Sequence, residues 1–209
     1  MKKSLLLLAI IILSCGNIFA QEKANEVDEV IEKAKSGSFY LGANFGFSLI
    51  SDNYYGNSND DNYGSFNFGV DVAYLFELID NLEVGGLVGY TQYIASGSYQ
   101  RFTDSGSLVR VNFDDASFIP VAASARYYFA DHKFFGGIDL GVGINVAGDA
   151  KTGFYARPKF GFDLGKIALI ASFQSISGGQ DYSNGQGNGN NAYSLNGFNS
   201  VNFGAEFGF

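Results

Sequence analysis

Tryptophan is absent from this chain of 209 residues; cysteine, histidine and methionine occur once each, and proline twice. Each scarcity excludes something. The lone cysteine, Cys15, cannot close a disulfide within the chain, whatever the redox compartment. Basic residues are also few: 13 Lys and Arg stand against 21 Asp and Glu, for a formal net charge of -8. Binding to nucleic acid requires clustered cations that neutralise phosphates, so DNA and RNA are not expected partners. After residue 20, no apolar stretch approaches the ~18 residues of a transmembrane helix. Glycine (28) and phenylalanine (21) are abundant, and the aromatic fraction of 16% equals the charged fraction. Such a chain is too apolar for disorder and unusual for an ordinary soluble domain.

Residues 1–20 read as a signal peptide: Lys2 and Lys3 precede an apolar run from Leu5 to Leu13, and Ala20 closes the segment before Gln21. Its removal leaves a still more acidic mature chain. Ile12, Leu13 and Ser14 before Cys15 loosely resemble a lipobox, so lipidation at Cys15 is the alternative to cleavage after Ala20. In residues 21–37, Ala24, Val27, Val30, Ile31 and Ala34 recur at spacings of three and four, the period of a short amphipathic helix on the periplasmic side.

From Ser38 to Phe209 the period is two, and this stretch forms the third and largest unit. Phe39, Leu41, Ala43, Phe45 and Phe47 share one strand face, and Tyr40, Gly42, Asn44 and Gly46 share the other. The same contrast recurs from Phe66 to Phe76, Leu82 to Tyr90, Val121 to Phe129, Ile138 to Ile144, Phe154 to Leu164, Ile167 to Phe173 and Val201 to Phe209. The reading is all-β, with eight antiparallel strands. The connectors run roughly over 51–65, 79–81, 95–116, 130–133, 147–152, 165–166 and 177–197, each boundary good to ~2–4 residues. Long connectors alternate with tight turns, the pattern of an up-and-down transmembrane barrel with long loops outside and short turns in the periplasm.

Alternation does not say which face points inward, but volume does. An eight-stranded barrel has an interior just wide enough for its own side chains. The aromatic-rich face would overfill it, whereas the glycine-rich face fits, so the rings point outward to lipid. Phe39, Phe76, Tyr127, Phe129, Phe134 and Phe209 then suit one interfacial girdle, and Phe47, Phe66, Tyr90, Phe154 and Phe173 the other. Pro120 and Pro158 donate nothing to a ladder, and local kinks are expected at both.

The assembled pattern resembles the small outer-membrane β-barrel family that includes OmpA-like membrane domains and the OmpX and OmpW groups. The resemblance covers residues 38–209 and is carried best by Val201, Phe203, Ala205, Phe207 and Phe209, which look like that family's C-terminal assembly signal. Ile119-Pro120-Val121 through Tyr127-Tyr128-Phe129 and Tyr155-Ala156-Arg157-Pro158-Lys159 also look like strand segments of these barrels. The resemblance implies the outer membrane of a Gram-negative cell, with outer-membrane lipid, periplasmic chaperones and the outer-membrane assembly machinery as partners. In one respect the sequence is expected to depart from full-length OmpA-like proteins: a soluble peptidoglycan-binding domain, and the anchoring role that goes with it, is not expected after Phe209.

Inside such a barrel, Asp71, Glu83, Asp139, Asp163 and Glu206 share the lumen with Arg126, Arg157 and Lys159, and Glu77 lies on the same face. Buried charge must be paired or hydrated. The set is therefore either an ion-paired plug or the constriction of a cation-preferring pore; eight strands leave little room for a channel, which favours the plug. Catalysis is not expected. His132 lies beside Asp131 and Lys133 in a periplasmic turn, and no serine is placed to partner it for acyl transfer. Asp52, Asp60 and Asp61 lack EF-hand spacing, so no metal or cofactor is expected. Val109, Val111 and Phe113 alternate around a turn at Asp104-Ser105-Gly106, which predicts a hairpin above the membrane, either a stalk or a strand open to a partner. Residues 177–197, rich in Gly, Asn, Gln and Ser, predict a mobile loop. The sequence points to a structural or surface-interaction role through the loops, with an unnamed extracellular ligand or surface partner. The alternative is a small porin-like transporter of hydrophobic or small polar solutes.

Overall fold

A computed structural model describes residues 30–34, 36–48, 52–53, 64–103, 106–183 and 191–209. The expected signal peptide, Cys15, the first part of the expected 21–37 helix, Asp60, Asp61 and the expected turn at Asp104-Ser105 lie outside the described residues. The helical period is realised at residues 30–34. There the Lys33 ammonium donates to the Leu78 carbonyl at 3.0 Å and the Tyr74 hydroxyl donates to the Ala34 carbonyl at 2.8 Å. The helix end is thereby hooked to the periplasmic rim.

The strands are β1 (Ser38–Ser48), β2 (Asp52–Asn53), β3 (Gly64–Ile79), β4 (Leu82–Ser96), β5 (Ser98–Phe102), β6 (Leu108–Asn112), β7 (Ala116–Phe129), β8 (Phe134–Ala147), β9 (Gly153–Asp163), β10 (Ile167–Ile176), β11 (Gln180–Ser183), β12 (Asn191–Leu195) and β13 (Phe198–Gly208). Eight of them close an antiparallel barrel in the order β1-β13-β10-β9-β8-β7-β4-β3. The ends meet from Tyr40 opposite Gly208 to Ser48 opposite Ser200, so no barrel strand is left with an open edge. Tight turns at residues 80–81, 130–133 and 164–166 cap the periplasmic end. Asn81, Ala130, Asp131 and His132 take positive φ there, in the left-handed region that turns demand.

The extracellular loops carry their own structure. β5 and β6 form the hairpin expected from the alternation around Val109 and Val111. Residues 177–197, expected to be a mobile loop, instead contain β11 and β12, which pair with each other and with β2. Backbone pairing supplies there what the side-chain pattern does not.

Both prolines interrupt the ladder on one side of their strand. Pro158 sits inside β9 facing β10, where paired residues skip from Ser172–Lys159 to Ser175–Ala156 with the register unchanged. Pro120 lies inside β7, and pairing to β4 skips from Val88–Val121 to Thr91–Phe118, again in register. Each interrupts the ladder to one neighbour over two residues without shifting its register. The register shift nearby lies at Ser117/Phe118, against β8.

Outward positions such as Phe45, Val70, Val88, Val121, Leu140, Phe160, Leu169 and Phe203 are exposed around the whole circumference. In water, a continuous apolar belt of this size is untenable. In hydrocarbon it is the required surface, and closure satisfies the backbone within the wall. Rings gather at the periplasmic edge, where Phe39 and Phe209 stack at 6.2 Å and Phe129 and Phe134 at 6.0 Å. The molecule is a membrane-spanning β-barrel.

Candidate functional site: the barrel lumen

The inward face carries three layers. In the middle, Arg157 uses two nitrogens on two strands: Nη1 donates to Asp71 Oδ2 at 2.9 Å, and Nε to Asp139 Oδ2 at 2.8 Å. Lys159 Nζ lies 2.9 Å from Asp139 Oδ1 and 3.9 Å from Glu206 Oε1. Arg126 Nη2 reaches Glu206 Oε2 at 2.8 Å, and its Nε lies 4.0 Å from Glu83 Oε2. The charges therefore run as one chain, Asp71–Arg157–Asp139–Lys159–Glu206–Arg126–Glu83. Neutral donors complete it: Ser124 Oγ donates to Asp139 at 2.5 Å, and Asn44 Nδ2 to Asp71 at 3.4 Å. All of these except Asn44 and Glu83 are essentially buried. Charges removed from water persist only with partners of this geometry.

The expectation that Asp163 shares this lumen network is corrected. Asp163 has the inward parity but stands at the last position of β9, and its carboxylate accepts the Gly165 N–H at 2.6 Å in the periplasmic turn. Strand height, not parity, removes it from the network. Glu77 is likewise exposed at the rim and accepts the Asn81 N–H at 3.3 Å. His132 lies in the turn 130–133, its ring 5.2 Å from that of Tyr128. Val201, Phe203, Ala205, Phe207 and Phe209 share the outward side of the closing strand.

Above and below the charges lie two apolar seals that the pattern analysis missed. At the extracellular end, Tyr93, Phe118 and Phe198 pack ring against ring at 5.1 to 6.1 Å, with Tyr155 and Ile176 buried in the same cluster. The loops contribute Phe113, Ala150 and Leu195 to it, so three loops are drawn into the barrel mouth. Tyr93 is fixed by Gln174 Nε2, which donates at 2.9 Å, and by Ser200 Oγ at 3.2 Å. At the periplasmic end, Tyr128, Phe135 and Ala168 form the second seal. The Arg126 guanidinium lies 4.5 Å above the Tyr40 ring and 4.7 Å above Phe135, and Tyr40 and Tyr128 both donate to Glu83. Parity alone could have found these rings: Tyr93 follows Thr91 by two residues, and Phe118 shares the side of Ser124.

Between the seals, a space of about 10 Å³ is lined by Asn44, Asp71, Arg157, Ser172 and Glu206, among others. It has room for about one water molecule and none for a hydrated ion. Among the described residues, no group of His, Cys, Asp and Glu is placed to hold a metal ion.

No protein-family model matches the chain, and no curated protein matches it. Solved structures similar to it include Neisserial surface protein A (NspA), at 16% identity and a TM-score of 0.43, covering 82% of this chain and 97% of that one. The COG4313 outer membrane channel from Pseudomonas putida F1 is similar at 10% identity and a TM-score of 0.36, covering 83% and 95%. The outer membrane protease OmpT from Escherichia coli follows at 9% identity and 0.28, covering 83% and 96%.

Proposed function

We propose that this outer-membrane barrel is a sealed, non-catalytic scaffold that acts through its extracellular loops, as a structural or surface-interaction protein. One observation carries the reading: the lumen is filled in series by an aromatic seal, a chain of ion pairs and a second aromatic seal. The space beside Asp71, Arg157 and Glu206, about 10 Å³, holds about one water molecule. The ordered elements above the membrane, the β5–β6 hairpin and the β11-β12-β2 sheet, give the loops a defined surface. The proposal includes insertion by the outer-membrane assembly machinery through the final strand, with Val201, Phe203, Ala205, Phe207 and Phe209 displayed on its outward side.

Planar-bilayer recording of the purified, folded protein tests the reading. The expected result is no stepwise current above that of protein-free bilayers at either polarity. Reproducible steps would overturn it in favour of the porin-like alternative, passage of small solutes.

A further inference from the structure

The lipid-facing wall is not uniform. Across β9, β10 and β13, Phe160 stands opposite Ala171 and Ala171 opposite Phe203; one level toward the periplasm, Phe162 stands opposite Leu169 and Leu169 opposite Ala205. Small residues between large ones leave a depression of about 330 Å³, bounded by Phe160, Phe162, Leu169 and Phe203 and floored by Ala171 and Gly204. Its β9 side is braced by packed, tilted rings, with Phe134 at 5.0 Å from Phe162 and 5.8 Å from Phe160.

The lower end lies at the periplasmic turns 130–133 and 164–166, which are joined by the Asp163 N–H donating to the Lys133 carbonyl at 2.8 Å. These turns carry Lys133 and Lys166, both exposed and without an ion-pair partner among the described residues. The acids beside them are Asp131 and Asp163, the latter engaged by Gly165. An apolar notch in the hydrocarbon layer, above turns that carry two exposed lysines without ion-pair partners among the described residues, has the chemistry to hold a phospholipid: chain above, phosphate below. A two-fold pair of chains centred here would set concavity against concavity and leave a void, whereas a flexible chain fills it.

We propose that this notch holds one phospholipid of the periplasmic leaflet, an acyl chain lying over Ala171 and Gly204 and its phosphate at Lys133 and Lys166. The test is native mass spectrometry of the detergent-solubilised protein titrated with palmitoyl-oleoyl phosphatidylglycerol, and with phosphatidylcholine of the same chains. Wild type should retain one phosphatidylglycerol. Ala171→Phe, which fills the notch from an exposed position, should lower that adduct at least 5-fold, while Ala123→Phe on β7 should leave it unchanged. Lys133→Gln with Lys166→Gln should abolish the preference for phosphatidylglycerol over phosphatidylcholine. Equal retention by Ala171→Phe and wild type would overturn the proposal, as would equal losses in both Phe variants. Loss of a protein dimer rather than a lipid adduct would assign the notch to a second copy instead. If Ala171→Phe does not fold, Ala171→Leu and the double lysine variant carry the test.

Discussion

Arg157 is the residue on which the lumen depends most, because it alone joins Asp71 of β3 to Asp139 of β8. Losing it leaves Asp139 with Lys159, but leaves Asp71 with only the Asn44 amide at 3.4 Å. Breaking a buried pair from one side costs about 3–5 kcal/mol, mostly the penalty of the stranded charge. Arg157→Met should therefore lower the unfolding free energy of the barrel, measured by urea titration in lipid vesicles, by an amount of that order. Adding Asp71→Asn removes the stranded charge and should recover part of the loss; a double variant as unstable as the two losses summed would show that the groups are not coupled. Glycine offers a second residue-scale contrast. The Phe135 ring lies where a Cβ on Gly161 would go, whereas nothing lies within 4 Å of a Cβ on Gly136. Gly161→Ala should cost about 1–3 kcal/mol by overpacking, and Gly136→Ala should leave the same unfolding midpoint in place.

At the scale of the element, the strands were legible because their face contrast is strong, and the barrel strands fall close to where the alternation puts them. The β5–β6 hairpin was legible for the same reason. β11 and β12 were not, since a Gly- and Asn-rich stretch carries no face contrast and is held by backbone pairing from Gln180 opposite Leu195 onward. Of the lumen, the charged residues could be read from parity, and Asp163 shows the limit: parity fixes a side, not a height. The seals escaped because glycines on the inward face imply crowding only on average. In the folded barrel they make local room for large neighbours, Gly161 for Phe135 and Gly143 for Ile176. The prolines were legible as ladder breakers, but not the kept register across each gap. Pro158 denies an N–H to the carbonyl of Phe173, which faces it within the bilayer-spanning wall. An unmet backbone acceptor in hydrocarbon costs several kcal/mol, while the chain stiffness lost with proline is worth about 0.4–1 kcal/mol. Pro158→Val should therefore raise the urea midpoint in vesicles; a fall would mean that the β9–β10 gap is satisfied in another way.

For the whole molecule, the solvent of each surface decides what a substitution does. A charge at Val121, in the middle of the apolar belt, must be dragged into hydrocarbon, and Val121→Arg should cost about 2–4 kcal/mol. Val109 is equally apolar and also exposed, but it lies on β6 above the belt, where Val109→Arg should change stability by no more than about 0.5 kcal/mol. Equal penalties at the two sites would contradict the orientation of the barrel in the membrane. The same whole-molecule logic governs permeability, because obstacles in series block independently. Truncating the outer seal by Phe118→Ala with Phe198→Ala empties space only between the loops and the charged layer, where Arg157 of β9 still reaches across the lumen to Asp71 of β3. Below them, Arg126 remains clasped between Tyr40 and Phe135. This variant should stay silent in planar bilayers despite its loosened mouth. Current steps from it would locate the barrier in the aromatic rings alone and make the ion-paired layer permeable.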